Sequence, residues 1–333
     1  MTALSVLDLA PITEGSDAGE ALRRSAALAL KAQELGYKRY WMAEHHSMPG
    51  IASAATAVAL AFVGSRTSTI RIGSGGVMLP NHAPLIIAEQ FGTLDALFPG
   101  RIDLGLGRAP GTDQAAAYAM RRNLASDANQ FPEDIVELMG YFRGDNPRVR
   151  AIPGEGARIP IYILGSSLYG AQLAAALGLP YAFASHFAPQ MMMEAIELYR
   201  ARFEPSEQLE RPYVMLGFNC FAAPTDEEAE LLATSVEQAV VALRSGHPGK
   251  LQPPKAGYAD SLPLEGRTML QNFLACSAIG TPAKVRRQVE EFVQRTRADE
   301  LIVTSQIYNH EARLRSYELL MKAMAPAEQE LAK

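Results

Sequence analysis

An eight-stranded parallel (β/α) barrel is the α/β fold that this sequence predicts, on three observations. Short apolar segments alternate with amphipathic ones along most of the 333 residues. The apolar segments number eight, and several of them stop at a residue able to bind an anion or move a proton. A chain of this length holds either one large barrel with insertions or two ordinary domains. No composition shift marks a linker, which favours a single domain over residues 1–333. A doubly wound open sheet shares the same alternation, and the strand count is what favours the barrel.

The first unit is a strand at 4–9, a helix at 19–35 and a strand at 39–43. In that helix Leu22, Ala26 and Ala29 share one face, while Glu20, Arg24, Lys31 and Glu34 share the other. Gly36 stands where a C-terminal cap belongs. The alternation continues with helix 53–65, strand 70–79, helix 84–97, strand 101–106 and helix 127–142. Strand 161–164, helix 169–177, strand 181–184, helix 189–202 and strand 213–222 bring the count to seven strands. After a Glu- and Ala-rich helix at 226–243 the pattern breaks over 244–268, where Gly, Pro and Lys mix without periodicity. That stretch predicts a mobile insertion between strands 7 and 8. Thr281 as N-cap and Pro282 at the first helical position open a helix with Val285, Val289, Phe292 and Val293 as its core face. An eighth strand at 301–304 and a helix at 311–323 complete the set.

Composition removes several function classes. The apolar share of 48% with 20% charged residues is that of a globular protein with a large core. A net charge of -5, with no stripe of Lys and Arg, argues against nucleic-acid binding. Two cysteines, Cys220 and Cys276, make neither a disulfide framework nor a metal knuckle, and both read as small core residues. The N-terminus lacks the basic start and apolar run of a secretory signal, and no stretch of about 18 apolar residues occurs. The expectation is a cytoplasmic protein with no membrane span.

The chemistry-bearing residues stand at strand ends. The second strand runs into Ala43, Glu44, His45 and His46. Neighbouring residues of a strand point to opposite faces, so only one of the two histidines faces a common pocket. None of the six histidines forms a His-x-His pair or a His-Glu-x-x-His helix, which disfavours metal catalysis. A hydrogen-bonded rim explains the histidine pair as well as catalysis does. After the fourth strand, Gly105, Leu106, Gly107, Arg108, Ala109, Pro110 and Gly111 put a guanidinium on a loop with an open backbone. A surface ion pair is the commoner fate of such an arginine. The fifth strand ends at Leu164, Gly165, Ser166 and Ser167 and opens a helix, whose N-terminus offers free N–H groups to an anion. Ordinary capping explains these serines taken singly; with Arg108 on the neighbouring strand, a phosphate pocket explains all three. Gly73, Gly75 and Gly76 inside the third strand point to a bulge or a close backbone approach, such as a flat ring requires.

At these residues the chain resembles the bacterial luciferase-like flavin-dependent monooxygenase family. The resemblance runs through the segments YWMAEHH, RIGSGGVMLPNHAPLIIAEQFGTLD, GRIDLGLGRAPG, GSS and IGTP, in order and over nearly the whole chain. It implies a (β/α) barrel that binds FMN as FMNH2 delivered by a separate flavin reductase, reacts it with O2 and oxygenates a small organic substrate. Some relatives use the deazaflavin F420, and some have lost activity and only bind flavin. By the resemblance His45 is the acid or base near the flavin. Arg108, Gly165, Ser166 and Ser167 hold the phosphate, and Gly75 and Gly76 form the bulge under the ring, often with a non-prolyl cis peptide. In luciferases proper a cysteine precedes the phosphate arginine; here that place is Gly107. The resemblance further implies a lid over the site at 244–268 and a homodimer.

Overall fold

The computed structural model describes residues 2–108, 119–120 and 130–325. Gly111 and the start of the helix expected from Asp127 lie outside these residues. Nine strands are found among those described: β1 (Ala3–Asp8), β2 (Arg39–Met42), β3 (Arg71–Met78), β4 (Ile102–Gly107), β5 (Ile161–Gly165), β6 (Tyr181–Phe183), β7 (Val214–Ala222), β8 (Ser277–Gly280) and β9 (Glu300–Thr304). All pairings between them are parallel. β1 to β7 pair in chain order, β7 pairs β9, and β9 returns to β1 through Ala3↔Glu300 and Val6↔Val303. That return closes an eight-stranded barrel and rules out an open doubly wound sheet.

Helices cover the outside: α1 (Ala18–Leu35), α2 (Thr56–Gly64), α3 (Pro84–Leu97), α4 (Phe131–Arg143), α5 (Leu168–Ala176), α6 (Met192–Arg202), α7 (Asp226–Arg244), α8 (Leu264–Phe273), α9 (Pro282–Thr296) and α10 (His310–Met324). Side chains alternate along each strand as the pleat requires. Val6, Tyr40, Ile72, Leu104, Ile163, Phe183, Leu216 and Val303 point out and pack under the helices. Leu7, Trp41, Tyr162, Ala182, Met215 and Ile302 point in and form a separate interior cluster. Gly36 closes α1 with φ 83°, and Cys220 and Cys276 are buried free thiols. No helix of the described residues is long and apolar enough to cross a membrane.

The floor of the barrel, at the N-terminal strand ends, is a buried charge cluster. Arg39 Nε donates to Glu300 Oε1 (2.8 Å) and its Nη1 to Asp103 Oδ2 (2.6 Å) and to the Tyr162 hydroxyl (2.8 Å). Arg71 adds a second guanidinium to Asp103, and Ser5 and Tyr213 donate to Glu300. Burial alone would raise the Glu300 carboxyl; Arg39 and Lys38 outweigh it and hold the group below its ordinary range. Each buried charge therefore has a partner.

Two elements differ from expectation. The aperiodic stretch at 244–268 gives way to α8, which begins at Leu264 and buries Leu270 and Phe273 against Phe221, Val236 and Val240. The ninth strand, β8, pairs the upper part of β7 through Asn219↔Ser277 and Ala222↔Gly280, outside the closed ring of eight. Thr281 precedes α9 as predicted, but its side chain makes no capping bond; its N–H donates to Asp226 Oδ1 at 2.8 Å instead.

Candidate active site

The C-terminal mouth of the barrel contrasts with its floor: polar atoms there are left without partners. His45, three residues past the end of β2, is half-buried, and its Nδ1 is shut off from solvent with no hydrogen-bond partner among the described residues. His186, three residues past β6, repeats that condition. Burial lowers the His45 imidazole to about 4, opposed only in part by Glu44. Burial lowers His186 to about 4 as well, and the neighbouring His45 disfavours its protonation further. Both rings are therefore neutral near pH 7, each with a buried Nδ1 that has no hydrogen-bond partner among the described residues. A glycine makes room for His186: a Cβ at Gly217 on β7 would stand 2.0 Å from its Nδ1. Sequence reading passed over His186, although its position just past a strand end was a usable signal.

Across the same mouth the predicted anion-binding residues converge. Arg108, one residue past β4, is exposed and lies over the Tyr169 ring with its guanidinium carbon 4.2 Å from the centroid. Tyr169 is the second residue of α5, whose N-cap is Ser167, and the Ser167 side chain makes no capping bond. Ser166 is exposed beside it. The guanidinium thus stands at a helix N-terminus with free hydroxyls and N–H groups, an arrangement suited to a phosphate or carboxylate. No carboxylate pairs with Arg108 among the described residues.

The Gly75–Gly76 peptide is cis, and the β3–β4 register shifts between Ser74 and Val77. Protein packing accounts for these glycines. A Cβ at Gly75 would meet Leu7 Cδ1 at 2.8 Å, one at Gly76 would meet the Gly105 carbonyl oxygen at 2.7 Å, and one at Gly105 would meet the Ser74 oxygen at 2.3 Å. Gly107 differs, since a Cβ there meets only the Val77 oxygen at 3.9 Å.

His46 lies past the end of β2 and is held by Glu44. Its Nε2 donates to Glu44 Oε1 at 2.7 Å, and His82 Nε2 donates to the same oxygen at 2.7 Å. Glu44 is buried; burial raises its carboxyl, while the bonds from His82, His46 and the Met78 N–H hold it below its ordinary value. A cavity of about 590 Å³ is lined by Phe187, Arg244, Leu264, Met269 and Phe273 among others, so part of the stretch expected as an insertion packs near the chain that follows β6.

The residues suit a polar ring system that carries a phosphate, as a flavin or deazaflavin cofactor does. Neutral imidazoles with unpartnered nitrogens suit a polar ring system, and the cation at a helix N-terminus suits its phosphate.

Comparison with known proteins agrees with this geometry. Residues 2–300 match the family model described as luciferase-like monooxygenase. A luciferase-like monooxygenase of Escherichia coli (strain K12) is 53% identical over 321 residues, covering 96% of each chain. The N-acetyl-S-alkylcysteine monooxygenase of Bacillus subtilis (strain 168) is 33% identical over 98% of this chain and 99% of its own. Among solved structures, apo-MsnO8 superposes with a TM-score of 0.90 at 35% identity, covering 97% of this chain and 98% of its own. The FMN complex of the oxygenating constituent of 3,6-diketocamphane monooxygenase from Pseudomonas putida shares the fold at 17% identity, with a TM-score of 0.73 and 98% of both chains covered. With a closed barrel, a mouth of this chemistry and a family match along most of its length, the chain belongs to the luciferase-like monooxygenase family.

Proposed function

We propose that this protein is an FMN-dependent monooxygenase that takes FMNH2 from a separate flavin reductase and, with O2, oxygenates a small organic substrate. The observation that carries the reading is the placement of Arg108 over Tyr169 at the N-terminus of α5, on the same mouth as His45. Bound there, the flavin supplies the reducing electrons and the site of oxygen activation. Arg108 and the main-chain N–H groups of Gly165, Ser166 and Ser167 bind the phosphate. The main chain at Gly75 and Gly76 would border the ring. His45, neutral near pH 7 and only half-buried, would accept or return a proton. Names of relatives support the reaction class: one oxygenates N-acetyl-S-alkylcysteines, and a more distant structure holds FMN.

The segment around 244–268 acts in this reading as a cover that keeps water from the mouth. The active form is a homodimer, supported by exposed Val58 on α2 and exposed Ile86 and Leu97 on α3, which are neighbouring helices.

The test is to mix purified protein with chemically reduced FMN under anaerobic conditions, admit O2, and follow flavin reoxidation and oxygen uptake with candidate thioethers, aldehydes and ketones. The expected result is FMNH2 binding at micromolar concentration and substrate-dependent oxygen uptake. Binding of F420 in preference to FMN, with hydride transfer in the absence of O2, would replace the proposal by a deazaflavin-dependent dehydrogenase. Flavin binding without turnover of any substrate would leave a flavin-storage protein.

A further inference from the structure

We infer that Glu44, His46 and His82 form a binding site for a divalent transition-metal ion of the zinc class, between the connections that follow β2 and β3. All three offer a ligand atom, and those atoms lie within 4.8 Å of one another. Two imidazole nitrogens and one carboxylate oxygen are a donor set that zinc takes readily, with a fourth position left for water.

The geometry favours an ion over a plain hydrogen-bonded clamp. A carboxylate has two oxygens to share between two rings, yet both Nε2 atoms turn to the same one, Oε1, each at 2.7 Å. The other oxygen, Oε2, is held by the Met78 N–H at 3.2 Å, which fixes the carboxylate from behind. Three donor atoms therefore face a common point. A tetrahedral ion with bonds of about 2.0–2.2 Å keeps its donors roughly 3.4 Å apart. Admitting it requires each Glu–His pair to open by about 0.7 Å, a shift that small side-chain rotations supply. His82 follows the short 3-10 turn Leu79–Asn81 and is partly exposed, as is His46, whereas Glu44 is buried. The rings are thus the movable part and the carboxylate the fixed one. An approach exists as well. A cavity of about 440 Å³ reaches Glu44, His46 and His82 past Thr56 and Gln90, wide enough for a hydrated ion and for the water that completes its coordination.

On binding, the imidazoles exchange an Nε2–H donated to Glu44 for an Nε2 lone pair given to the ion, so each ring carries its remaining proton on Nδ1. No redox step is involved. The neighbouring residue His45 is not a ligand, and the calorimetric test without flavin keeps the metal site distinguishable from the flavin reading.

The experiment titrates Zn²⁺ into the full-length protein by calorimetry, without flavin, and repeats the titration with Co²⁺ followed by visible absorption. Wild type is expected to bind one Zn²⁺ per chain and to show the visible bands of four-coordinate Co²⁺. His82→Asn keeps a donor towards Glu44 and is expected to preserve the fold, checked by its melting temperature. It should lose zinc affinity by at least the ~10–100-fold that removal of an outer-shell partner costs, together with the cobalt bands. Glu44→Gln should do the same. Zinc bound equally well by wild type and both variants, or no zinc bound by wild type at millimolar concentration, overturns the inference.

Discussion

Replacing Arg108 by Gln tests the cofactor assignment most directly, because FMN and riboflavin differ only in the phosphate that this residue is proposed to hold. The guanidinium is exposed and stacked 4.2 Å over Tyr169, so its removal should change folding stability by no more than about 1 kcal/mol. A hydrogen bond to a charged partner contributes about 1.5–3 kcal/mol, and solvent access at this rim favours the lower half of that range. The stacking on Tyr169, worth about 0.5–1 kcal/mol at an exposed site, holds the fork in place beforehand. FMN affinity should therefore fall roughly 10- to 100-fold, while riboflavin affinity stays within about twofold of wild type. Arg108→Lys keeps the charge without the fork or the stacking and should fall between the two. Anaerobic fluorescence titration of each variant with both flavins measures this. Equal losses for FMN and riboflavin would show that Arg108 shapes the pocket without binding phosphate, and no loss for either would remove it from the site.

Three further outcomes are expected. His45→Gln should leave flavin affinity near wild type and reduce turnover by about 10²–10⁴-fold, the usual contribution of a positioned acid or base; equal turnover in oxygen uptake would exclude His45 from proton transfer. Arg39→Leu strips the floor carboxylates Asp103 and Glu300 of their shared cation and should cost about 3–5 kcal/mol in chemical denaturation; a loss below 1 kcal/mol would mean that Arg71 and Lys38 suffice. His45 and His186 bind protons less readily folded, at about 4, than unfolded, at about 6.5. Their stabilisation is thus complete above pH 6.5 and is lost as pH falls towards 4, by about 1–2 kcal/mol per imidazole at pH 5 after allowing for partial exposure. Denaturation of wild type and His186→Gln at pH 7.5 and pH 5.0 checks the sign: the variant should lose less on acidification, and an equal loss would refute it.

The barrel was legible because its strands are buried on both faces and its helices on one, so apolar runs and amphipathic runs alternate plainly. Closure itself had no local sign, since the pairing of β9 with β1 joins residues almost 300 apart. β8 was missed for a physical reason: four residues beginning at Ser277 carry too little periodicity to mark a strand, and they pair only the upper end of β7. α8 was hidden because most of its surface is exposed and only Leu270 and Phe273 are buried. At the mouth, Arg108 and Ser167 could be read from sequence because each stands within two residues of a strand end. The proximity of Arg108 to Tyr169 could not, and neither could the meeting of His82 with Glu44. Gly73, Gly75 and Gly76 point to a bulge or a close backbone approach in sequence, and both occur: the register shifts between Ser74 and Val77, and a Cβ at Gly73 would stand 2.4 Å from the Asp103 oxygen.

The unequal length of the strands shapes what can enter. β9 accompanies β7 only as far as Asn219↔Thr304, and beyond that point β7 continues to Ala222 beside β8. Three residues of extra strand carry that side about 10 Å further, a parapet on one flank of the opening. A guest lying against it is sheltered along that edge, so the bulky ends of a series of compounds should be accepted in one orientation and refused in the reverse one.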